Sequence, residues 1–199
     1  MSESRAQQFL DRVFPYLPEL NEDRFSSKSW KFDNRPTNEG VGMIPRLTVD
    51  VERLVERILD VEEYPQNVKY VEDCQILERE SPTSFTYVQH MSLPLLGKVQ
   101  SAMDISDFGE QDGYRLVAWN QNRPATDALN KKQGFRTDYN LGAWLIKPNA
   151  VAFALSSCPR KSDVGGLKFA IMTRGADATA GEVLRQNITG MTDWAARHE

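Results

Sequence analysis

Cysteine and histidine are scarce in this chain, two of each in 199 residues. Cys74 and Cys158 lie far apart with no CxxC spacing, which argues against the disulfide framework of a small secreted domain and against a zinc site. Reduced thiols in a cytoplasmic protein are the expectation. A metal held by carboxylates alone is left open by this count. His198 stands next to the C-terminus and His90 inside an alternating segment, so a histidine-based catalytic pair has little to draw on. Long apolar runs are missing too, and none approaches the roughly 20 residues of a membrane-spanning helix. The N-terminus has neither the basic start nor the apolar stretch of a signal peptide. An excess of basic charge is also absent. The net charge is -4, the basic pair Arg160-Lys161 reads as a solvated turn, and no nucleic-acid footprint is expected.

What is present is an ordinary folded composition, 40% hydrophobic and 26% charged, long enough for one domain over residues 1–199 with residues 1–24 as a helical extension. Ala6, Phe9, Leu10, Val13, Phe14 and Leu17 recur at helical spacing, with Ser4 and Gln7 placed as a capping box and Pro15 and Pro18 limiting the helix. Ser29 to Phe32 alternates like a short strand, and Pro36 to Gly40 reads as its turn. Gly40-Val41-Gly42 begins like a dinucleotide fingerprint, but no third glycine and no βαβ unit follow, so it too reads as a turn. Val41 to Val49 is extended, with Pro45 marking an edge or a bulge. Asp50 is a plausible N-cap for a helix with Val51, Leu54, Val55, Ile58 and Leu59 on one face.

After Tyr70 the period changes from helical to alternating. Strands are predicted at 71–78, 84–91, 98–108, 114–120, 135–146 and 150–157, mostly with short gaps, which favours an antiparallel meander. Residues 121–134 read as an exposed loop. Leu167, Phe169 and Ile171 alternate and suggest a further strand. Thr179 and Glu182 form a capping box for a last helix, with Leu184, Ile188, Met191 and Ala195 on one face.

Three stretches carry a family resemblance: Ile58 to Pro65, a helix ending in acidic residues and then an aromatic and a proline; Met91 to Lys98, a proline loop between two strands; and Asn187 to Trp194, a closing helix. Their order resembles the START-like superfamily (Bet v 1-like, SRPBCC or helix-grip), which includes START lipid-transfer domains, polyketide cyclases and coenzyme Q-binding proteins. The N-terminal helix is similar to the longer START domains. Two departures stand out. Tyr64-Pro65-Gln66-Asn67 replaces the usual tryptophan, and Lys98-Val99 stands where Arg-Asp is common.

The resemblance implies an α+β helix-grip fold, a curved antiparallel sheet wrapped around a long C-terminal helix with an extra N-terminal helix. It also implies a cavity between sheet and helix that holds a lipid or another hydrophobic small molecule; the residues nominate no cofactor, metal or catalytic group, and binding is favoured over turnover. Strand phase then nominates Phe85, Tyr87 and Met91, Met103 and Ile105, Leu141 (with Tyr139 and Leu145), and Phe153 (with Val151 and Leu155) as lining. Leu184, Ile188 and Met191 would cover it, and Leu95 and Leu96 would form a gate or touch a membrane transiently. Without the resemblance, the same residues read as a dry core. Gln89, His90, Arg115, Asn120 and Asp138 are candidates to orient a head group, Arg115 being placed in the site. The alternative is a polyketide cyclase or aromatase-like enzyme, in which His90, Arg115 or Asp138 converge in the pocket to move protons.

Overall fold

The structure, a computed structural model, describes residues 5–20, 23–93 and 97–197. Helix α1 (Arg5–Val13) buries Ala6, Phe9, Leu10 and Val13 and passes into a 3-10 turn at Phe14–Glu19, where Pro15 and Pro18 suit a tighter, irregular helix. Strands β1 (Ser26–Trp30) and β2 (Glu39–Pro45) follow. Helix α2 (Val51–Leu59) is capped as its sequence suggests, the Asp50 carboxylate accepting from Arg53 N at 3.1 Å. A 3-10 turn (Val61–Glu63) and the short α3 (Tyr64–Asn67) lead into the sheet.

The meander consists of β3 (Val71–Ser81), β4 (Ser84–Leu93), β5 (Gly97–Gln111), β6 (Tyr114–Gln121), β7 (Phe135–Lys147) and β8 (Ala150–Pro159). The strand order is β1-β2-β8-β7-β6-β5-β4-β3, an open curved sheet of eight strands. Asp112 and Gly113, both with positive φ, make the two-residue turn between β5 and β6. Where β6 ends, Val99 and Gln100 of β5 pair in parallel with Phe135 and Arg136 of β7.

Residues 121–134 are more ordered than expected. They contain α4 (Arg123–Ala128), capped by Asn122 and carrying Pro124 in its first turn, a position that suits proline because its missing N–H is not needed there. The Thr126 hydroxyl ties α4 to β5 through Ala102 N (3.0 Å) and Ala102 O (3.2 Å).

The C-terminal region departs most from expectation. After the short α5 (Lys161–Val164), α6 runs over Gly166–Ala196, so the residues read as a strand and the supposed cap at Thr179 all lie inside one 31-residue helix, about 46 Å long. Thr179 does not cap; its hydroxyl donates back to Gly175 O at 2.9 Å. Leu167 and Ile171 are one helical turn apart on an exposed face, which produced the misleading alternation with Phe169.

Gly40 and Gly42 also serve a different purpose from the expected turn. Both lie in β2, under α6: a Cβ at Gly42 would stand 2.9 Å from the Phe25 ring and 3.0 Å from Leu184 Cβ. The glycines let helix and sheet approach closely. Pro45 ends β2 beyond the last residue paired with β1.

Both faces of the central strands are buried. The face toward α2 and α6 holds one apolar cluster, and the opposite face holds a second, covered by α1 and its 3-10 continuation.

Candidate functional site

On the α6 side, alternate residues of neighbouring strands meet in register. Phe85 faces Ile105 and Tyr87 faces Met103 across β4 and β5; Ile105 is opposite Trp119 on β6, and Trp144 of β7 opposite Phe153 of β8. From above, α6 closes this floor with Leu184, Ile188, Met191 and Trp194, all buried. Aromatic rings fill the centre, Trp119 stacked on Phe153 at 5.6 Å and Trp144 tilted against Phe153 at 4.5 Å. Eight of the nominated residues therefore share one cluster: Phe85, Tyr87, Met103, Ile105, Phe153, Leu184, Ile188 and Met191. Met91 packs at its margin, half-buried.

The other nominations fall elsewhere. Leu141, with Tyr139 and Leu145, belongs to the opposite phase of β7 and packs toward α1; the phase toward α6 is Asn140, Gly142, Trp144 and Ile146. Because both faces are covered, both phases of β7 are apolar, and alternation alone could not choose between them. Arg115 pairs with Asp107 near the far end of the sheet, 3.8 Å from Glu52 on α2. Leu95 and Leu96 lie outside the described residues. The proton-moving trio does not converge. His90 pairs across strands with Asp73 and Gln100, Arg115 sits at Asp107, and Asp138 stands 3.4 Å from Arg123 near α4. Asn120 is on the α1 side, whereas Gln89 has the phase of Tyr87 and lies beside Cys74.

One polar string in the floor was not singled out from sequence. Trp119 Nε1 donates to Asn140 Oδ1 at 3.1 Å, and Asn140 Nδ2 donates to Ser101 Oγ at 3.1 Å. The Thr137 hydroxyl donates to Gln121 Oε1 at 2.8 Å close by. The signal was available: Asn140 is four residues before Trp144 and Ser101 two before Met103, hence in the same phases.

The surroundings hold titratable groups in their neutral forms. Burial raises the Tyr64 and Tyr87 phenols above their ordinary range and pushes the Cys74 thiol up to about 12, with Asp73 adding to the last. The Tyr64 hydroxyl donates to Ile58 O at 2.6 Å, and that of Tyr87 rests on Met103 Sδ at 3.9 Å. Such a surface suits neutral apolar matter, with a hydroxyl and amides available for one polar end.

Toward its N-terminus α6 is more open. Leu167 is 81% and Ile171 61% exposed, while Met172 and Thr173 turn inward. Lys168 Nζ lies 4.2 Å from the Phe135 ring centre and beside Gly97, where β5 begins. The start of α6 thus meets the first residues of β5 and β7 at one end of the covered face. Among the described residues, no helix is long and apolar enough to cross a membrane.

No family model and no curated protein matches the sequence. Solved structures do match in shape. A STAR-related lipid transfer protein from Xanthomonas axonopodis superposes with a TM-score of 0.71 at 15% identity, over 89% of this chain and 96% of that one. Human STARD10 gives 0.68 at 13% identity, over 100% and 85%. The Zhui aromatase/cyclase from Streptomyces sp. R1128 gives 0.53 at 12% identity, over 87% and 95%. With its eight-stranded curved sheet, α1 on one face and α6 on the other, this chain has the START-like, helix-grip fold.

Proposed function

We propose that this protein binds a hydrophobic small molecule of lipid type between the sheet and α6, acting as a carrier or sensor without chemical turnover. The observation that carries this reading is the neutral floor of Phe85, Tyr87, Met103, Ile105, Trp119 and Phe153, interrupted by a hydrogen-bonded string from Trp119 through Asn140 to Ser101. Apolar contact contributes about 25 cal/mol per Å² removed from water. Ser101 and Asn140 meet the polar end of the ligand, and methionines adapt to its shape. The fold neighbour from Xanthomonas axonopodis, named as a lipid transfer protein, supports the choice of ligand class.

The N-terminal half of α6 is the moving part. Leu167 and Ile171, flanked by Lys161 and Lys168, present apolar and basic groups that fit transient contact with a membrane surface while ligand is exchanged. The test is titration of the purified protein with a fluorescent fatty-acid analogue. Saturable one-to-one binding that unlabelled lipid displaces is expected, weakened at least about tenfold in Met103→Asp. Absence of saturable binding to any apolar probe would contradict the reading. Separation of His90, Arg115 and Asp138 gives no support to the cyclase alternative.

A further inference from the structure

On the sheet face turned away from α6, α1 presents Arg5, Gln8 and Arg12 at spacings of three and four residues, on one side of the helix. Facing them are Arg35, from the connection between β1 and β2, and Arg123, at the start of α4. These four arginines line a cleft of about 320 Å³. Such a gathering is unusual in a chain of net charge -4.

Part of the cluster is fixed from below. Glu39, fully buried, accepts two bonds of 2.8 Å from Arg12 and one of 2.9 Å from Arg35, and Trp30 Nε1 adds a fourth at 3.0 Å. The Arg12 guanidinium lies 3.7 Å from the Phe32 ring centre, and that of Arg35 lies 4.8 Å from the Tyr139 ring centre. These groups are held in place before any ligand arrives. Their donors are not exhausted. Arg35 reaches both Glu39 and Ser156 through Nη1, leaving Nε and Nη2. Arg5 has no ion-pair partner among the described residues, and Arg123 reaches Asp138 through Nη1, 3.4 Å from its carboxylate and 3.3 Å from its backbone carbonyl. Asp127, 3.7 Å from Arg123, is taken up by Arg160. Set against Glu39 and Asp138, the four arginines leave two positive charges, matching a phosphate monoester dianion.

We propose that this cleft binds a phosphate monoester, its phosphate seated among Arg5, Arg35 and Arg123. Arginine forks suit phosphate oxygens, and the volume suits a small head group but not an acyl chain. The site lies across the sheet from the apolar face and does not depend on how that face is used. The phosphate can belong to a free metabolite or to a lipid head group.

Calorimetric titration at low salt with glycerol 3-phosphate, beside flotation with phosphatidylcholine vesicles with and without phosphatidic acid, tests this. Saturable one-to-one binding of glycerol 3-phosphate is expected, weakening as salt shortens the screening length. The double variant R5Q/R123Q, which leaves the Glu39 anchor intact, should weaken it at least about tenfold with an unchanged melting temperature. Flotation that requires phosphatidic acid would assign the phosphate to a lipid; glycerol 3-phosphate binding without flotation would assign it to a soluble molecule. No saturable binding in either arm, or binding that R5Q/R123Q leaves unaltered, would overturn the proposal.

Discussion

The indole of Trp119 lies across the backbone of Gly142: a Cβ at that glycine would stand 2.2 Å from Trp119 Cζ2 and 2.5 Å from Ala154 O. The floor of the apolar face is flat there because β7 carries no side chain where the ring passes. Gly142→Ala therefore forces the ring or the strand to shift. A loss of about 1–3 kcal/mol is expected from overpacking, read as a lower urea midpoint with an altered tryptophan emission. An unchanged midpoint and spectrum would show that Trp119 does not occupy this place.

Asn140 joins two strands through Trp119 and Ser101. Asn140→Leu removes both bonds and leaves the indole N–H without its acceptor. The expected cost is about 1–3 kcal/mol. If Asn140 also meets the ligand's polar end, affinity for a fatty acid should fall more than affinity for a plain hydrocarbon probe. Comparing the two probes in the variant measures this.

Burial pushes Cys74 up to about 12 and Cys158 up to about 11. Both are far above neutral pH, so neither presents a thiolate in the folded protein. Reaction with a disulfide reagent at pH 8 is expected to be slow in the native state and fast in urea, with a rate that tracks opening. Rapid stoichiometric labelling of native protein would contradict the burial of both side chains.

Asp163, just before α6, is bound by Arg136 through two bonds of 2.8 and 2.9 Å, which hold its carboxyl down at about 2. A carboxyl lowered on folding stabilises the protein above its ordinary range, near about 4, and loses that contribution as pH falls toward the lowered value. The wild type should exceed Asp163→Asn in urea midpoint by a constant margin at neutral pH. That margin should shrink between about pH 4 and pH 2. A pH-independent margin would argue against the ion pair.

Gly175 and Gly181 interrupt α6 in a stretch otherwise of small residues, and a side chain at Gly175 would meet open space. Gly175→Ala should stabilise the helix by up to about 1 kcal/mol. If the N-terminal half of α6 bends away during exchange, the same change slows release of a fluorescent lipid analogue without altering floor contacts. Stopped-flow release rates compare the two proteins.

Much of the fold was legible because the meander strands are long and bounded by clear turns, as at Asp112-Gly113, and because Asp50 is a strong cap. The start of α6 was not. Leu167, Phe169 and Ile171 fit a period of two as well as a helix whose outer face is apolar, and only the missing sheet neighbour distinguishes them. Which side chains share the face toward α6 was legible where one phase is plainly apolar, as at Phe85, Tyr87, Met103 and Ile105. On β7 the facing phase was not legible, because Leu141 and Trp144 occupy opposite faces and each face has a cover. Arg115 was misplaced because its partner Asp107 is close only through the β5–β6 hairpin. The arginine cleft draws on α1, the β1–β2 connection and α4, segments that no local spacing joins.

Photolabelling with a diazirine-bearing fatty acid, followed by peptide mapping, tests most directly where an apolar ligand sits. Binding between sheet and α6 predicts label on the peptides that carry Met91, Met103 and Trp119, competed by unlabelled fatty acid and reduced in Met103→Asp. Label confined to α1 or to exposed Leu167 and Ile171, or label that unlabelled fatty acid does not compete, would contradict it.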